Sequence, residues 1–160
     1  MRVAAELRYL ILAIQREGNR LLAANLRPLG LTPSQAEVLR VLSDHQPLTL
    51  TALGGLLVCE TGNSPSRLVD RLVAQDLIHR ETDPADRRRV TLALTAEGNG
   101  LARRITDIEE RLYRTIDDLV DGQPVEEALA LLRAFASAFP AGQAVERRRD
   151  LEINTTEHES

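Results

Sequence analysis

Residues 63–98 read NSPSRLVDRLVAQDLIHRETDPADRRRVTLALTAEG. Near the start of this stretch, Pro65 favours the first position of a helix, and it holds Ser64 in the extended conformation of a helix cap. The apolar residues that follow have helical spacing: Leu68, Val69, Leu72 and Val73. This spacing predicts a helix that begins at Pro65, buries one face and leaves a polar face outward.

The second half of the stretch predicts a β-hairpin. Residues 77–81 suit a first strand, and residues 90–94 alternate large apolar side chains with Thr and Ala, as a half-buried strand does. Between them, residues 83–86 (Asp-Pro-Ala-Asp) have the composition of a tight turn. Three arginines at 87–89 then lie at the tip of a two-stranded wing.

Two further helices are expected before this stretch. Thr32 followed by Pro33 is a helix start, and residues 48–58 predict a second helix capped by Thr49 or Thr51. The order helix, helix, turn, helix, hairpin is that of a winged helix-turn-helix, whose second helix usually lies in the major groove of DNA. The expected fold is therefore mainly α, with a two-stranded β wing.

Amphipathic segments flank the predicted winged helix-turn-helix of residues 31–98, which we call the reading lobe; its helix that begins at Pro65 is the reading helix. Their apolar stripes are larger than one slim lobe can bury, so they predict a helical dimerisation region built from the N- and C-terminal helices. We divide the single integrated domain into a dimerisation helix (1–30), the winged helix-turn-helix (31–98), the C-terminal dimerisation helices (99–140) and a polar tail (141–160). We expect that tail to be mobile.

The composition excludes several classes of protein. A chain of 160 residues that is 43% hydrophobic and 28% charged can bury a globular core, and with only 2% aromatics that core must consist of Leu, Ile, Val and Ala. No apolar run reaches the ~18 residues that span a bilayer. The single cysteine cannot form an internal disulfide, and the N-terminus lacks a signal pattern. We expect a cytoplasmic protein with no membrane partner.

The distribution of charge favours a nucleic-acid partner more than the net charge does. The net charge of −4 argues weakly against DNA, but all 20 basic residues are arginine, and three of them are adjacent at the wing tip. Acidic residues concentrate in the later segment 107–127. A basic tip with an acidic far end can orient a protein on DNA.

The residues expected to contact DNA lie at the start of the reading helix and on the wing: Asn63, Ser64, Ser66, Arg67, Arg71, Arg87, Arg88 and Arg89. Arg67 is the candidate for reading a guanine, because a guanidinium matches the O6/N7 edge of that base. Arg71 is placed to meet the DNA backbone. Asp70 either pairs with a wing arginine and orients the wing, or is exposed for solubility alone.

Three motifs resemble the MarR family of bacterial transcription regulators. They are the helix run RLVDRL (67–72), the wing DPADRR (83–88) and the LTAEG opening of the long helix (94–98). The layout of the flanking helices is similar too, so the resemblance covers nearly everything before Pro140. Asp76 departs from the pattern, since the family often has Gly before the first wing strand, and we expect the change to alter only a helix end.

The resemblance implies a function. It implies a homodimer that binds double-stranded DNA at a near-palindromic operator and represses transcription until a small ligand or an oxidant releases it. It also implies that Arg88 enters the minor groove, where the negative potential is concentrated, and that the neighbouring Asp86 shapes the wing.

Two alternatives stay open. Cys59 could make the chain a thiol-oxidation sensor, although free cysteines are more often small buried apolar residues. A winged helix could also be a protein-interaction module, although such a module should expose apolar residues on its reading helix. His45, His79 and His158 share no metal-ligand spacing with Cys59, and no catalytic constellation is present, so we expect no metal, no cofactor and no enzyme activity.

Overall fold

The computed structural model describes residues 1–59 and 64–158, with side chains described as far as Ile153. In chain order the elements are α1 (Val3–Leu26), a 3-10 turn (Arg27–Leu29), α2 (Pro33–His45), β1 (Leu48–Thr49), α3 (Leu50–Leu56), α4 (Pro65–Ala74), β2 (Ile78–Thr82), β3 (Val90–Leu94), α5 (Ala96–Val120), α6 (Val125–Ala136) and α7 (Pro140–His158). The mainly helical winged helix-turn-helix expected from the sequence is confirmed.

The helices of the reading lobe begin where their capping residues predict. At α2, Thr32 and Gln35 form a capping box in which the Thr32 Oγ1 accepts the Gln35 N–H and the Gln35 Oε1 accepts the Thr32 N–H. At α5, the Thr95 hydroxyl accepts the N–H of Gly98 at 3.0 Å. These bonds satisfy amide groups that have no partner inside the helix.

One continuous core joins the reading lobe to the first half of α5. The largest fully buried side chains are Leu26, Leu39, Leu42, Leu53, Leu72, Ile78, Ile105, Val38 and Val69. They come from α1, α2, α3, α4, β2 and α5, and all are aliphatic, as the scarcity of aromatics predicts. The core therefore fixes α4 and the wing relative to the long helix α5.

The wing has the two strands expected from the sequence, β2 and β3, and a short third strand that the sequence did not predict, β1, extends the sheet. β1, β3 and β2 lie side by side in that order, all antiparallel, with Leu48 opposite Leu92. The helix expected over residues 48–58 is present but shorter, because β1 takes Leu48–Thr49 and α3 covers only Leu50–Leu56. Thr49 caps α3 through its hydroxyl, so one residue both ends the strand and starts the helix.

The corner between α4 and β2 requires two special backbone positions. Asp76 follows α4 with a φ of +59°, the left-handed conformation in which Asp is one of the better-tolerated residues besides Gly. Asp76 thus stands at a backbone position that favours Gly, and the expectation that the change alters only a helix end stays a prediction. Next to it, the first turn of α5 approaches the chain so closely that a Cβ on Gly98 would lie 2.0 Å from the Leu77 carbonyl oxygen.

The outer helices, which are α1, the second half of α5 and α6, leave large apolar side chains exposed to solvent. None of the residues of α6, every one of which the structure describes, is buried in the single chain. The exposed apolar side chains of α1, the second half of α5 and the α6 segment include Tyr9, Leu10, Ile14, Tyr113, Ile116, Leu119, Leu131, Leu132, Phe135 and Phe139. This surface is what the amphipathic stripes of the sequence predict.

The segment after α6 is a helix, and the expected mobile tail is wrong as far as residue 158. α7 folds back and packs on α3, and its Ala144 is only 2% exposed. Gly142 makes the sharp return possible, since a Cβ there would lie 2.0 Å from the Ala136 carbonyl oxygen. Polar composition alone suggested mobility, whereas tertiary contacts order the helix.

Candidate nucleic-acid interface

The reading helix α4 is anchored by one apolar face. Leu68, Val69 and Leu72 are buried, and Pro65 begins the helix as predicted. Ser64 holds the cap position with extended φ and ψ, but its side chain makes no cap hydrogen bond. Its hydroxyl lies 2.9 Å from the Ser66 hydroxyl instead, so the predicted capping by the Ser64 side chain is wrong.

The opposite face of α4 is polar and open to solvent. Arg67, Asp70 and Arg71 are exposed, and Ser66 is partly exposed. Asn63, the first of the residues expected to contact DNA, lies outside the described residues. A face of this composition offers hydrogen-bond donors and positive charge to base edges and phosphates.

An ion pair ties the outward face of α4 to the hairpin. The Arg80 guanidinium of β2 donates to the Asp70 carboxylate over 2.5 Å. Both side chains are about half exposed, so the pair adds little stability; it links the outward face of α4 to the hairpin, which the buried core already holds beside the helix. The sequence left open whether Asp70 pairs with a wing arginine. The structure shows the pairing alternative, and the partner is Arg80 in strand β2 of the wing.

The wing tip is held by its own backbone and by Asp86. The Asp83 N–H donates to the Arg89 carbonyl at 2.9 Å, and the Arg89 N–H donates to the Asp86 carbonyl at 2.9 Å. The Asp86 carboxylate accepts the backbone N–H of Arg88 at 3.0 Å. This network leaves all three arginines of residues 87–89 exposed at the tip.

Cys59 lies just after α3, half-buried against a carboxylate. Glu37 of α2 accepts the Cys59 N–H at 2.8 Å. Burial, followed by the Glu37 charge and its hydrogen bond, raises the pKa of the Cys59 thiol from 9.0 to about 11. Because the thiolate is the form that reacts with oxidants, this environment counts against Cys59 as a redox sensor.

The raised pKa predicts slow chemistry at Cys59. A pKa near 11 rather than 9.0 lowers the thiolate fraction at pH 8 about 100-fold. We expect iodoacetamide to alkylate the folded protein about 100-fold more slowly than the chain unfolded in guanidinium, and the folded rate to rise about tenfold per pH unit up to pH 10. Equal rates for folded and unfolded chains at pH 8 would reinstate Cys59 as a reactive thiol.

Sequence reasoning also missed a charged pair that joins α2 to α7. Glu37 is 9% exposed, and its carboxylate meets the Arg148 guanidinium of α7 at 2.5 Å. The available signal was an acidic residue on the inner face of α2, between Ala36 and Val38. Its partner lies 111 residues away along the chain, too far for any local pattern to reveal.

The described residues form neither a metal site nor a membrane-spanning helix. Among the described side chains, no three His, Cys, Asp or Glu residues gather in a way that could hold a metal ion. Within the described residues, every helix is too short or too polar to cross a membrane.

Comparison with known proteins agrees with this geometry. The model of the MarR family matches residues 31–90. The chain is 35% identical over 113 residues to the Bacillus subtilis HTH-type transcriptional regulator YcgE, covering 70% of each protein. It is 30% identical over 108 residues to the B. subtilis organic hydroperoxide resistance transcriptional regulator, covering 68% of this chain and 73% of that protein.

A solved structure extends the similarity to the outer helices. The S. aureus MepR–DNA complex is 28% identical, superposes with a TM-score of 0.74, and the match covers 82% of this chain and 97% of that one. Members of this family are transcription regulators and not enzymes. With a winged helix-turn-helix, a family-model match over the reading lobe and a relative 35% identical across 70% of its length, the chain belongs to the MarR family of transcription regulators.

Proposed function

We propose that the protein is a homodimeric, sequence-specific DNA-binding repressor that a small molecule releases from its operator. The observation that carries the DNA-binding part is the Asp70–Arg80 ion pair, which joins the polar face of α4 to the hairpin whose tip exposes three arginines. Reading helix and basic tip thus belong to one surface. The MepR–DNA complex, a similar structure, supports the same reading.

In this proposal α4 enters the major groove and the wing follows the adjacent minor groove. Arg67 reads a guanine, and Arg88 enters the minor groove. Ser66, Arg71, Arg87 and Arg89 contact phosphates, and Asn63 and Ser64 approach the DNA at the start of the helix. The polar outward face of α4 disfavours the alternative of a protein-interaction module.

The experiment that tests DNA binding is the salt dependence of Arg88→Ala. Using a duplex that the wild-type protein enriches from a random-sequence pool, we expect weaker binding and a slope of log affinity against log salt that falls by about 1, the loss of one ionic contact. Glu81→Ala, which removes an exposed charge of opposite sign on the same hairpin, is the control and should not lower the slope. An unchanged slope and affinity for Arg88→Ala would remove Arg88 from the interface.

The proposal of a homodimer rests on the exposed apolar surface of the outer helices. Leu131 is 60% exposed, Phe135 49% and Leu119 75%, a density of large apolar side chains that a monomer in water rarely shows. A two-fold dimer also places two reading helices roughly 34 Å apart, the distance between successive major grooves on one side of B-DNA.

Sedimentation tests the dimer directly. We expect the wild-type chain to sediment as a dimer at micromolar concentration and Leu132→Glu, which puts a charge on the exposed face of α6, to shift it toward monomer. Val90→Glu is the matched control, because Val90 is equally exposed but lies on the wing. A wild-type monomer that binds its duplex tightly would contradict the proposal.

The proposed effector site is a cleft of about 410 Å³ between the reading lobe and the outer helices. Residues of α1, α2, α5 and α7 line it, among them Leu22, Arg40, Tyr113 and Arg148. A ligand bound in this cleft changes the distance between the two reading lobes of the dimer without touching the arginines proposed to contact DNA. Coupling of this kind typically alters the affinity for DNA ~5–150-fold, and thermodynamic linkage requires bound DNA to weaken the binding of the ligand by the same factor.

A further inference from the structure

The C-terminal helix α7 crosses the end of α3. The Arg147 Nε donates to the Gly55 carbonyl at 2.8 Å, and the Arg148 Nε donates to the Leu56 carbonyl at 2.7 Å. These are the last carbonyls of α3, which have no partner inside the helix and attract positive charge. α7 therefore supplies the C-terminal cap of the first helix of the helix-turn-helix.

Arg148 continues this contact into the core of the lobe. Its Nη2 donates to the Glu37 carboxylate, which also accepts the N–H groups of Val58 and Cys59, each at 2.8 Å. Glu37 is 9% exposed and Arg148 29%, so the pair is largely shielded from solvent. One arginine thus holds both the end of α3 and the carboxylate that fixes the residues following it.

α3 lies beside the start of α4. A Cβ added at Gly54 would come 3.6 Å from the Cγ of Pro65, the distance of ordinary van der Waals contact, so only about the width of one methyl group separates this part of α3 from the first residue of the reading helix. A displacement of α3, or of Val58 and Cys59, is therefore passed to the N-terminus of α4, where the residues proposed to read bases lie.

We propose that Arg148 and Glu37 are positioning residues for DNA recognition, through which α7 sets the angle at which α4 meets the major groove. This rests on the proposed DNA-binding function. The apolar face of α4 keeps the helix folded on the lobe, and the Arg148–Glu37 pair adjusts the position of its N-terminus through α3 and the residues that follow it. Because α7 follows directly on α6, the same contact ties the outer helices to the reading helix.

A positioning role makes a different prediction from DNA contact or from simple stability. Loss of an ionic contact to DNA lowers the slope of log affinity against log salt. Loss of folded protein lowers the apparent affinity for every duplex by the same factor. Misplacement of α4 instead weakens the selected duplex while the electrostatic binding of unrelated duplex is preserved. The ratio of the two affinities is thus the quantity to measure.

The test uses the full-length protein, a duplex enriched by the wild type from a random pool, and a scrambled duplex of the same composition. We expect Arg148→Ala to lower affinity for the enriched duplex about tenfold, with unchanged salt slope and unchanged affinity for the scrambled duplex. Arg149→Ala, the same charge change at an exposed site on the same helix, should behave as wild type. Arg148→Lys keeps the charge but lacks the planar fork, so an intermediate loss is expected.

Glu37 completes the test. Glu37→Gln should produce a loss similar to that of Arg148→Ala, and the double variant should be no worse than the more affected single variant, because both remove one linkage. An independent readout is the alkylation of Cys59. Arg148 lowers the pKa of this thiol, so its removal without movement would slow alkylation, whereas release of the connection exposes the thiol and accelerates it.

Two results would overturn this inference but not the DNA-binding function. One is a wild-type ratio of the affinities for the enriched and scrambled duplexes in Arg148→Ala, and the other is additive losses of binding free energy in the double variant. Slower alkylation of Cys59 in Arg148→Ala would do the same, since it would mean that the connection stays in place. A wild-type protein that enriches no duplex from the pool would instead overturn the DNA-binding function, and this inference with it.

Discussion

Replacement of Gly98 by alanine is expected to destabilise the protein by about 1–3 kcal/mol, the range for forcing an extra carbon into a packed site. The new Cβ would lie 2.0 Å from the Leu77 carbonyl oxygen and 3.0 Å from its carbon. That carbonyl cannot retreat freely, because it accepts the N–H of Thr95 at 3.1 Å. The clash therefore separates the first turn of α5 from the strand that leads into the wing.

The same helix provides the control. Gly100 is two residues further along, and a Cβ there would approach only the flexible end of Arg103, at 3.9 Å. Gly100→Ala should raise the free energy of unfolding by up to ~1 kcal/mol, since alanine is the better helix former. Urea denaturation of both variants and the wild type, at one protein concentration, makes the comparison. Equal midpoints for Gly98→Ala and wild type would contradict the close approach.

Arg67→Ala is expected to have the largest effect on DNA recognition, a loss of about 1–3 kcal/mol in binding free energy with relaxed preference at one base position. Arg67 is exposed in the first turn of α4, where a side chain reaches base edges. Arg67→Lys keeps the positive charge but cannot make the bidentate pair with guanine, so it should relax the preference too.

Arg71→Ala is the comparison for that experiment. Arg71 lies one turn further along the exposed face, and as a phosphate contact its loss should weaken all duplexes alike and lower the salt slope by about 1. Binding measured across a set of duplexes with single-base changes separates the two patterns. If Arg67→Ala left every base preference intact, Arg67 would contact the DNA backbone and would not read a base.

The reading helix and the long helix could be predicted closely, because their starts are marked by local chemistry. Pro65 sets one start and Thr95 caps the other, and both signals lie within a few residues of the boundary they mark. The wing was predictable for the same reason, since turn residues and alternation are local patterns. Its third strand was not: β1 has two residues, and its partners Thr91 and Leu92 lie more than forty positions away.

The part of the site that escaped prediction depends on tertiary contacts. α7 is polar in composition, and it is held by Arg147 and Arg148 through bonds to residues 92 positions away or more. Asp70 was recognised as a candidate for orienting the wing, but only the folded hairpin identifies Arg80 as its partner. Long-range pairs of this kind leave no periodic trace in a single sequence.

The uncovered face of α6 has a consequence for gene dosage. Since none of the α6 residues is buried in a single chain, a homodimer of the proposed kind is ordered by a bimolecular step. Below the dimer dissociation constant, the assembled amount follows the square of the chain concentration, so a twofold change in synthesis alters it about fourfold. Operator occupancy would then respond to expression level more steeply than linearly, which makes the rate at which a cell produces the regulator a second input to the switch.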